Sequence, residues 1–388
     1  IWFQDYDFQQ SMIYIFRNHF ENFELSSSLI SVFYCSYVSF FVFYTNTIVG
    51  HQGNGYLVNL NQLMQDAMIE YDSNVIMNMM GPGLLLASGS SLNFFCFDDN
   101  VVSDSIFFVP MISINVVNNQ GEIYVTDNLF GNLTLVSMNY SLYMQYNLIS
   151  IITNMAGPRQ LFIINGTQFI NCQFVSTQAL IHSSFDNRLF YLFLANSTAI
   201  LDNLHFNNVS LPDFGSVVSI ASYNVTLSGT TFQNVRVYDA TGMVYLLSAY
   251  IRVKNNTFRN VTSPHSPSTI MIGEDPSLPK SVVFYADLNL FEDCNSVSAT
   301  AFGTSNNFIT MIVDQTTIID SFQNPAIGLE STTCMDCTIT NTYYICTEKA
   351  TSTALNMVSL SGFSGSITFQ NVYLQVINHD YKMLDTTI

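Results

Sequence analysis

The sequence predicts an all-β chain, a single polypeptide wound as a parallel β-helix (solenoid) of about a dozen coils. Three observations predict it. A short phrase returns along the chain: Phe, any residue, Asn or Asp, then a small or apolar residue. Two consecutive units overlay without a gap at a period of 26 residues. Inside a unit, apolar and polar residues alternate in short pieces, and no stretch of comparable length holds a convincing 3.6-residue stripe.

The phrase reads Phe130-Gly131-Asn132-Leu133, Phe169-Ile170-Asn171-Cys172, Phe206-Asn207-Asn208-Val209, Phe232-Gln233-Asn234-Val235, Phe258-Arg259-Asn260-Val261, Phe291-Glu292-Asp293-Cys294 and Phe369-Gln370-Asn371-Val372. Degenerate copies are expected at Phe16-Arg17-Asn18, Tyr44-Thr45-Asn46 and Phe97-Asp98-Asp99, and Ile318-Ile319-Asp320 and Ile339-Thr340-Asn341 fill later gaps. In the overlay, Val217 to Ser222 matches Met243 to Ser248, Val225 and Leu227 match Ile251 and Val253, and Phe232 matches Phe258. The next unit is longer, because Pro264, Pro267, Pro276 and Pro279 mark an excursion before Phe284, Ala286 and Phe291 resume the columns. Three short strands per repeat without a helix suit a β-helix coil better than a leucine-rich repeat or a propeller blade. The expected layout is one continuous β-helix over 1–388, with degenerate coils over 1–129, clear repeats over 130–372 and a terminal segment over 373–388. About twelve coils at ~4.8 Å each would make a rod about 60 Å long. The first residues, Ile1-Trp2-Phe3, read as an internal slice or a processed product.

Composition narrows the function. Hydrophobic residues are 48% and aromatics 14%, so a large core is available. Charged residues are only 10%, well under the roughly 25% of an ordinary soluble domain. The net charge of −18, with ten basic residues, argues against nucleic acid, which needs a basic stripe. Leu29 to Val49 is long and uncharged enough to raise the question of a membrane span. Its Ser, Tyr, Thr and Val content, its lack of flanking Lys or Arg, and the alternation of Val32, Tyr34 and Ser36 with Phe33, Cys35 and Tyr37 read instead as two buried strands.

Eight Asn-X-Ser/Thr sequons point to the secretory route and to N-linked glycans: Asn132, Asn139, Asn165, Asn196, Asn208, Asn224, Asn255 and Asn260. Three of them are also phrase asparagines. A glycan cannot sit in a packed core, so those turns are expected to face solvent. The phrase Phe is expected to point inward and stack from coil to coil.

The chain has seven cysteines. Cys172 and Cys294 share a column four coils apart and should be unpaired, buried small side chains. Cys334, Cys337 and Cys346 lie close together, and a disulfide from Cys346 to Cys334 or Cys337 is expected. No His lies near enough to complete a zinc site.

No catalytic constellation stands out. Asp98-Asp99 and Glu292-Asp293 are paired carboxylates that suit acid–base work or calcium, although solvated turns are the commoner reading. No resident cofactor or metal is expected, and nothing in the sequence beyond these carboxylates supports calcium. Arg236, Arg252, Lys254 and Arg259 cluster in sequence, with Arg252 and Lys254 alternating with Ile251 and Val253. They should face outward, either as a solvated face or as a contact for an anionic glycan or another subunit.

This organisation resembles the right-handed parallel β-helix family, the pectin-lyase-like fold, and the Phe-X-Asn phrase is similar to repeats of extracellular surface proteins. The resemblance covers Phe130 to Val372 well. It implies right-handed coils. Arg252-Val253-Lys254 loosely resembles the substrate-binding Arg-X-Lys of the family's galacturonases, but the companion acidic and histidine motifs are absent. The expected function is therefore an extracellular or cell-surface structural glycoprotein, a rigid rod that self-associates head to tail into a fibre or coat, with no enzyme activity and no membrane span. The alternative is a β-helix protein that binds or cleaves polysaccharide, or an adhesin domain of a larger surface protein.

Overall fold

The computed structural model describes residues 2–4, 11–25, 28–33, 38–63, 67–137, 147–156, 161–176, 188–214, 216–239, 242–264, 268–273, 281–296, 299–304, 308–320, 326–330, 333–346, 354–362, 364–376 and 380–387. Every regular element among them is a β-strand, and the ladders are parallel. The chain is an all-β parallel solenoid. It divides into two compact units, Ile1–Ile200 and Leu201–Ile388.

One coil of the second unit shows how the sequence builds the fold. Its strands are Val244–Leu247, Tyr250–Lys254 and Thr257–Ser263. They pair in parallel with Ser268–Gly273, Ser281–Asp287 and Leu290–Ser296 of the next coil. Ile251 and Val253 are buried while Tyr250 and Arg252 are exposed, as period-two alternation requires. The 26-residue overlay is the observed register: Val218 pairs Val244, Val225 pairs Ile251 and Phe232 pairs Phe258. The next step, Phe258 to Phe291, is longer, as expected. Pro267, Pro276 and Pro279 lie outside the described residues.

This coil turns at two left-handed corners, one just before its last strand and one within it. Asn255 (φ 54°) makes the first and Asn260 (φ 50°) the second. Left-handed backbone costs most side chains about 1–2 kcal/mol, which Asn, Asp and Gly largely escape. These residue types accordingly recur at both corners: Asp99, Asp127 and Gly166 at the first corner in the first unit, and Asp104, Asn132 and Asn171 at the second.

Two corners explain an error of register in the sequence reading. Ile318-Ile319-Asp320 is in the Phe-X-Asn column, since Phe291 pairs Ile318. Phe369-Gln370-Asn371 and Ile339-Thr340-Asn341 are not. Phe369 pairs Ile339, which pairs Val313, so both phrases end on first corners. Phe16-Arg17-Asn18, Tyr44-Thr45-Asn46 and Phe97-Asp98-Asp99 also lie at first corners. An apolar residue two places before an Asn or Asp occurs at either corner, so the phrase alone does not separate them.

Inside the second unit the phrase phenylalanines stack as expected. Phe206, Phe232, Phe258 and Phe291 follow one another at 4.7, 4.8 and 4.7 Å with rings within 7° of parallel. The first unit also stacks rings, Phe43 on Tyr71 at 4.8 Å, Tyr71 on Phe97 at 5.0 Å and Phe130 by Phe169 at 4.8 Å, and it adds a second axis. Residues just after its first corners form a buried amide ladder: Asn46 Nδ2 donates to Asn74 Oδ1 (3.1 Å), Asn74 to Asn100 (3.0 Å) and Asn100 to Asn128 (3.1 Å). Each acceptor also takes the backbone N–H of the preceding asparagine. Each Nδ2 also donates to a main-chain carbonyl, as Asn100 does to Tyr71 (2.8 Å). The corner polar groups are thus satisfied without water.

The stretch Leu29 to Val49 contains the strands Ile30–Phe33, Val38–Tyr44 and Thr47–Val49. No helix among the described residues is long and apolar enough to cross a membrane.

Candidate functional site

The outer face of the first unit carries an organised polar surface. Three rows run across its coils, set by the ladders among Ser11–Phe16, Val38–Tyr44, Ala67–Asp72, Gly83–Asp98 and Ile112–Thr126. The first row is Met12, Phe40, Met68, Phe94 and Glu122. The second is Tyr14, Val42, Glu70, Cys96 and Tyr124. The third is Phe16, Tyr44, Asp72, Asp98 and Thr126. Alternation turns these positions outward, although Val42 is covered by its neighbours and buried, while Phe41, Phe43, Ile69, Tyr71, Phe95 and Phe97 between them are buried.

The rows place carboxylates in the middle and aromatic rings on both sides. Tyr14 and Phe40 lie 6.0 Å apart on one side, with Tyr14 about half exposed (52%), and Phe94 and Tyr124 lie 5.9 Å apart on the other. Between them Glu70 and Asp72 share one strand, and Asp98 is the ladder partner of Asp72 on the next coil. A rise of ~3.3 Å per residue and a coil spacing of ~4.8 Å put the Cα atoms of Glu70 and Asp98 about 8 Å apart.

Crowding changes the chemistry of these acids. Partial burial, followed by the charges of Asp72 and Asp98, raises the Glu70 carboxyl above its ordinary value. Asp72 is raised as well, by burial first, with Ser73 donating a 2.8 Å hydrogen bond that opposes the shift and Asp98 and Asp99 adding to it. The Cys96 thiol between them is pushed up to about 12 by burial and by Asp98, Glu70 and Asp72. Thr126 donates to Asp98, and Tyr124 donates to Glu122 at 2.7 Å. Among the described residues no three His, Cys, Asp or Glu side chains converge as metal ligands.

The sequence reading singled out only Asp98 and Asp99 here. Asp98 belongs to the face, whereas Asp99 is the exposed first-corner residue. Glu70 and Asp72 were missed, although Glu70-Tyr71-Asp72 is the two-residue spacing that puts both acids on one side of a strand. The second candidate pair separates. Glu292 is bound by Arg259 (2.8 Å), and Asp293 is a left-handed second corner.

The basic cluster faces outward, as expected, but its charges are met locally. Lys254 Nζ lies 3.8 Å from Asp287, Arg259 reaches Glu292, and the Arg252 guanidinium lies over the Tyr285 ring at 5.6 Å. Arg236 is exposed on the neighbouring face. Each of the first three contacts joins a cation to the ladder partner on the next coil or, for Arg259, to the residue directly paired with it.

Six of the eight sequons have described side chains. Asn132, Asn208, Asn255 and Asn260 are exposed, and Asn165 and Asn224 are half-buried. Asn139 lies outside the described residues, and Asn196 sits within the strand Arg188–Asp202. The three phrase asparagines that are also sequons, Asn132, Asn208 and Asn260, face solvent, as expected.

The cysteine expectation needs correcting. The bond joins Cys334 to Cys337, whose Cα atoms are 6.0 Å apart, rather than either of them to Cys346. The strand Thr333–Thr340 slips register between these two residues. That bulge turns both cysteines inward and leaves Met335 exposed. Cys172 and Cys294 are buried free thiols, as expected, each pushed up to about 12 by burial.

No protein-family model matches the chain, and no curated protein does. Among solved structures it is similar to an endo-xylogalacturonan hydrolase from Aspergillus tubingensis, with a TM-score of 0.28 and 11% identity, over 94% of this chain and 87% of that one.

Proposed function

We propose that the chain binds neutral polysaccharide along the outer face of its first unit. The observation that carries the reading is the placement of Glu70 and Asp72 on the coil between two aromatic pairs, Tyr14 with Phe40 and Phe94 with Tyr124, with Asp98 beside Asp72 on the strand that carries Phe94. Sugar rings present C–H groups on their flat faces and hydroxyls at their edges. Exposed rings take the first by stacking, and carboxylates accept hydrogen bonds from the second. Crowded carboxylates on a chain of net charge −18 repel polyuronates, so the ligand class is uncharged.

Cleavage is a second reading, favoured by the raised carboxyl of Glu70 beside Asp98. A glycosidase needs one carboxyl that holds a proton and a second that is ionised. Glu70 would donate the proton, and Asp98 would serve as the base or nucleophile. End-to-end assembly into a fibre has no supporting observation among the described residues.

Affinity electrophoresis through gels cast with glucan, xylan, mannan or polygalacturonate tests the binding reading. At least one neutral polymer retards the wild-type chain, and Tyr14→Ala or Tyr124→Ala weakens retardation about tenfold, since a stacked ring is worth about 1–1.5 kcal/mol. Retardation by polygalacturonate alone, or by none of the polymers, overturns it. Release of reducing ends that disappears in Glu70→Gln would establish cleavage in addition.

A further inference from the structure

The second corners form a ladder of their own on the outside. In the first unit, Asn132 Nδ2 donates to Asp104 (2.8 Å) and Asn171 Nδ2 to Asn132 Oδ1 (2.9 Å). In the second unit, Asn260 Nδ2 donates to Asn234 Oδ1 (2.8 Å). These asparagines are all exposed and left-handed.

Sequons do not fall on every rung. The residue two places after each corner decides, because only Ser or Thr there completes the acceptor. In the first unit that position is Thr134 after Asn132, and its ladder partner is Gln173 after Asn171. In the second unit it is Ser210 after Asn208, then Arg236 after Asn234, then Thr262 after Asn260, all in one paired row. Acceptors therefore alternate with non-acceptors, and Asp104 and Asp293 offer no amide at all. Neighbouring rungs are ~4.8 Å apart and alternate rungs about 10 Å. A pyranose ring with its N-acetyl and hydroxymethyl substituents spans more than one rung spacing across its plane, so alternate rungs give each first sugar its own room.

We propose that Asn132, Asn208 and Asn260 carry N-linked glycans, and that the second-corner row is spaced to hold them on every other coil. The transfer joins sugar C1 to Asn Nδ2 and breaks the C1–O bond to a lipid-linked diphosphate, which leaves as the lipid diphosphate, while one amide proton goes to the medium. One N–H stays on Nδ2. Asn260 therefore keeps a donor for Asn234, and Asn132 keeps one for Asp104, so the outer ladder survives modification.

The test is intact mass and glycopeptide mapping of the whole chain secreted from a eukaryotic host. Asn132→Gln, Asn208→Gln and Asn260→Gln should each lose one glycan's mass. Arg236→Thr completes a sequon at Asn234 with the residue type that Thr262 already provides in the same row. Arg236→Ala removes the same guanidinium without creating an acceptor. The expected result is that no secreted Arg236→Thr molecule carries glycans at Asn208, Asn234 and Asn260 together, or that this variant alone fails to be secreted. Secreted molecules with all three occupied and an unchanged melting temperature overturn the proposal, as do bare Asn132, Asn208 and Asn260 in the wild type. If both Arg236 variants are retained in the cell, Gln173→Thr against Gln173→Ala makes the same comparison at Asn171 beside Asn132. These readouts are independent of polysaccharide binding.

Discussion

The two units use their polar side chains in opposite ways. The first unit buries an asparagine ladder and leaves its acids facing one another outside, where partial burial, together with neighbouring carboxylates, raises the carboxyls of Glu70 and Asp72. Both units bury an aromatic stack, but the second shows, among the described residues, a shorter asparagine run at Asn256 and Asn289, and it sets its outer cations against acids one coil on. A coil needs a satisfied corner and a filled interior, and either amides or rings can continue an axis. What remains free for recognition is then decided outside. A face whose charges are matched within the ladder has little left to offer a ligand, whereas one whose acids are crowded and flanked by rings does.

Removing one rung of the inner ladder should have the largest effect. Asn100→Ala strands the carbonyls of Tyr71 and Asp98 and the N–H of Asn74. At about 1–3 kcal/mol per stranded buried group, partly relieved by relaxation, about 3–4 kcal/mol of stability is lost in chemical denaturation. A cost under 1 kcal/mol would mean the ladder does not hold the first unit.

The pH dependence is intermediate, and the first unit carries two opposite contributions. Native Glu70 holds its proton more tightly than the unfolded chain, so unfolding releases a proton between the ordinary glutamate value and the raised one. Stability falls as pH rises through that window; Glu70→Gln reduces the fall, and the raised carboxyl of Asp72 carries the remainder. His51 behaves in the other sense. It is buried, stacked on Phe23 at 4.1 Å with Nδ1 2.8 Å from the Phe23 carbonyl, and burial lowers its value despite that bond. The unfolded chain binds the proton more readily, so stability is lost as pH falls below the ordinary histidine value, and His51→Gln flattens that limb. Melting curves across pH 4 to 8 read both windows.

Breaking a matched pair in the second unit should cost least. Arg259 and Glu292 are substantially exposed, at 54% and 37%. Arg259→Ala should change stability by about 0.2–1 kcal/mol, less at high salt.

Much of this fold is legible in the sequence because Phe232 and Phe258 sit in identical frames and alternation marks Val225 and Leu227. The early coils are harder to read. An Asn or Asp occurs both in the left-handed residue and just after it, so Asn46 looks like a copy of Asn132 while it belongs to the buried ladder, and the exposed Asn18 donates to it from the coil before. The candidate face is harder still. Its rows join Tyr14, Glu70 and Tyr124, which are far apart in sequence and meet only through the ladders. Cys334 and Cys337 pair because of a bulge that spacing alone does not reveal.

Hydrogen exchange of the whole chain, with and without an oligomer of whichever neutral polymer retards it, tests the location of the binding face most directly. The account predicts added protection in the strands Ser11–Phe16, Val38–Tyr44, Ala67–Asp72 and Ile112–Thr126, with Tyr250–Lys254 and Ser281–Asp287 unchanged. Protection confined to those last two strands would contradict it.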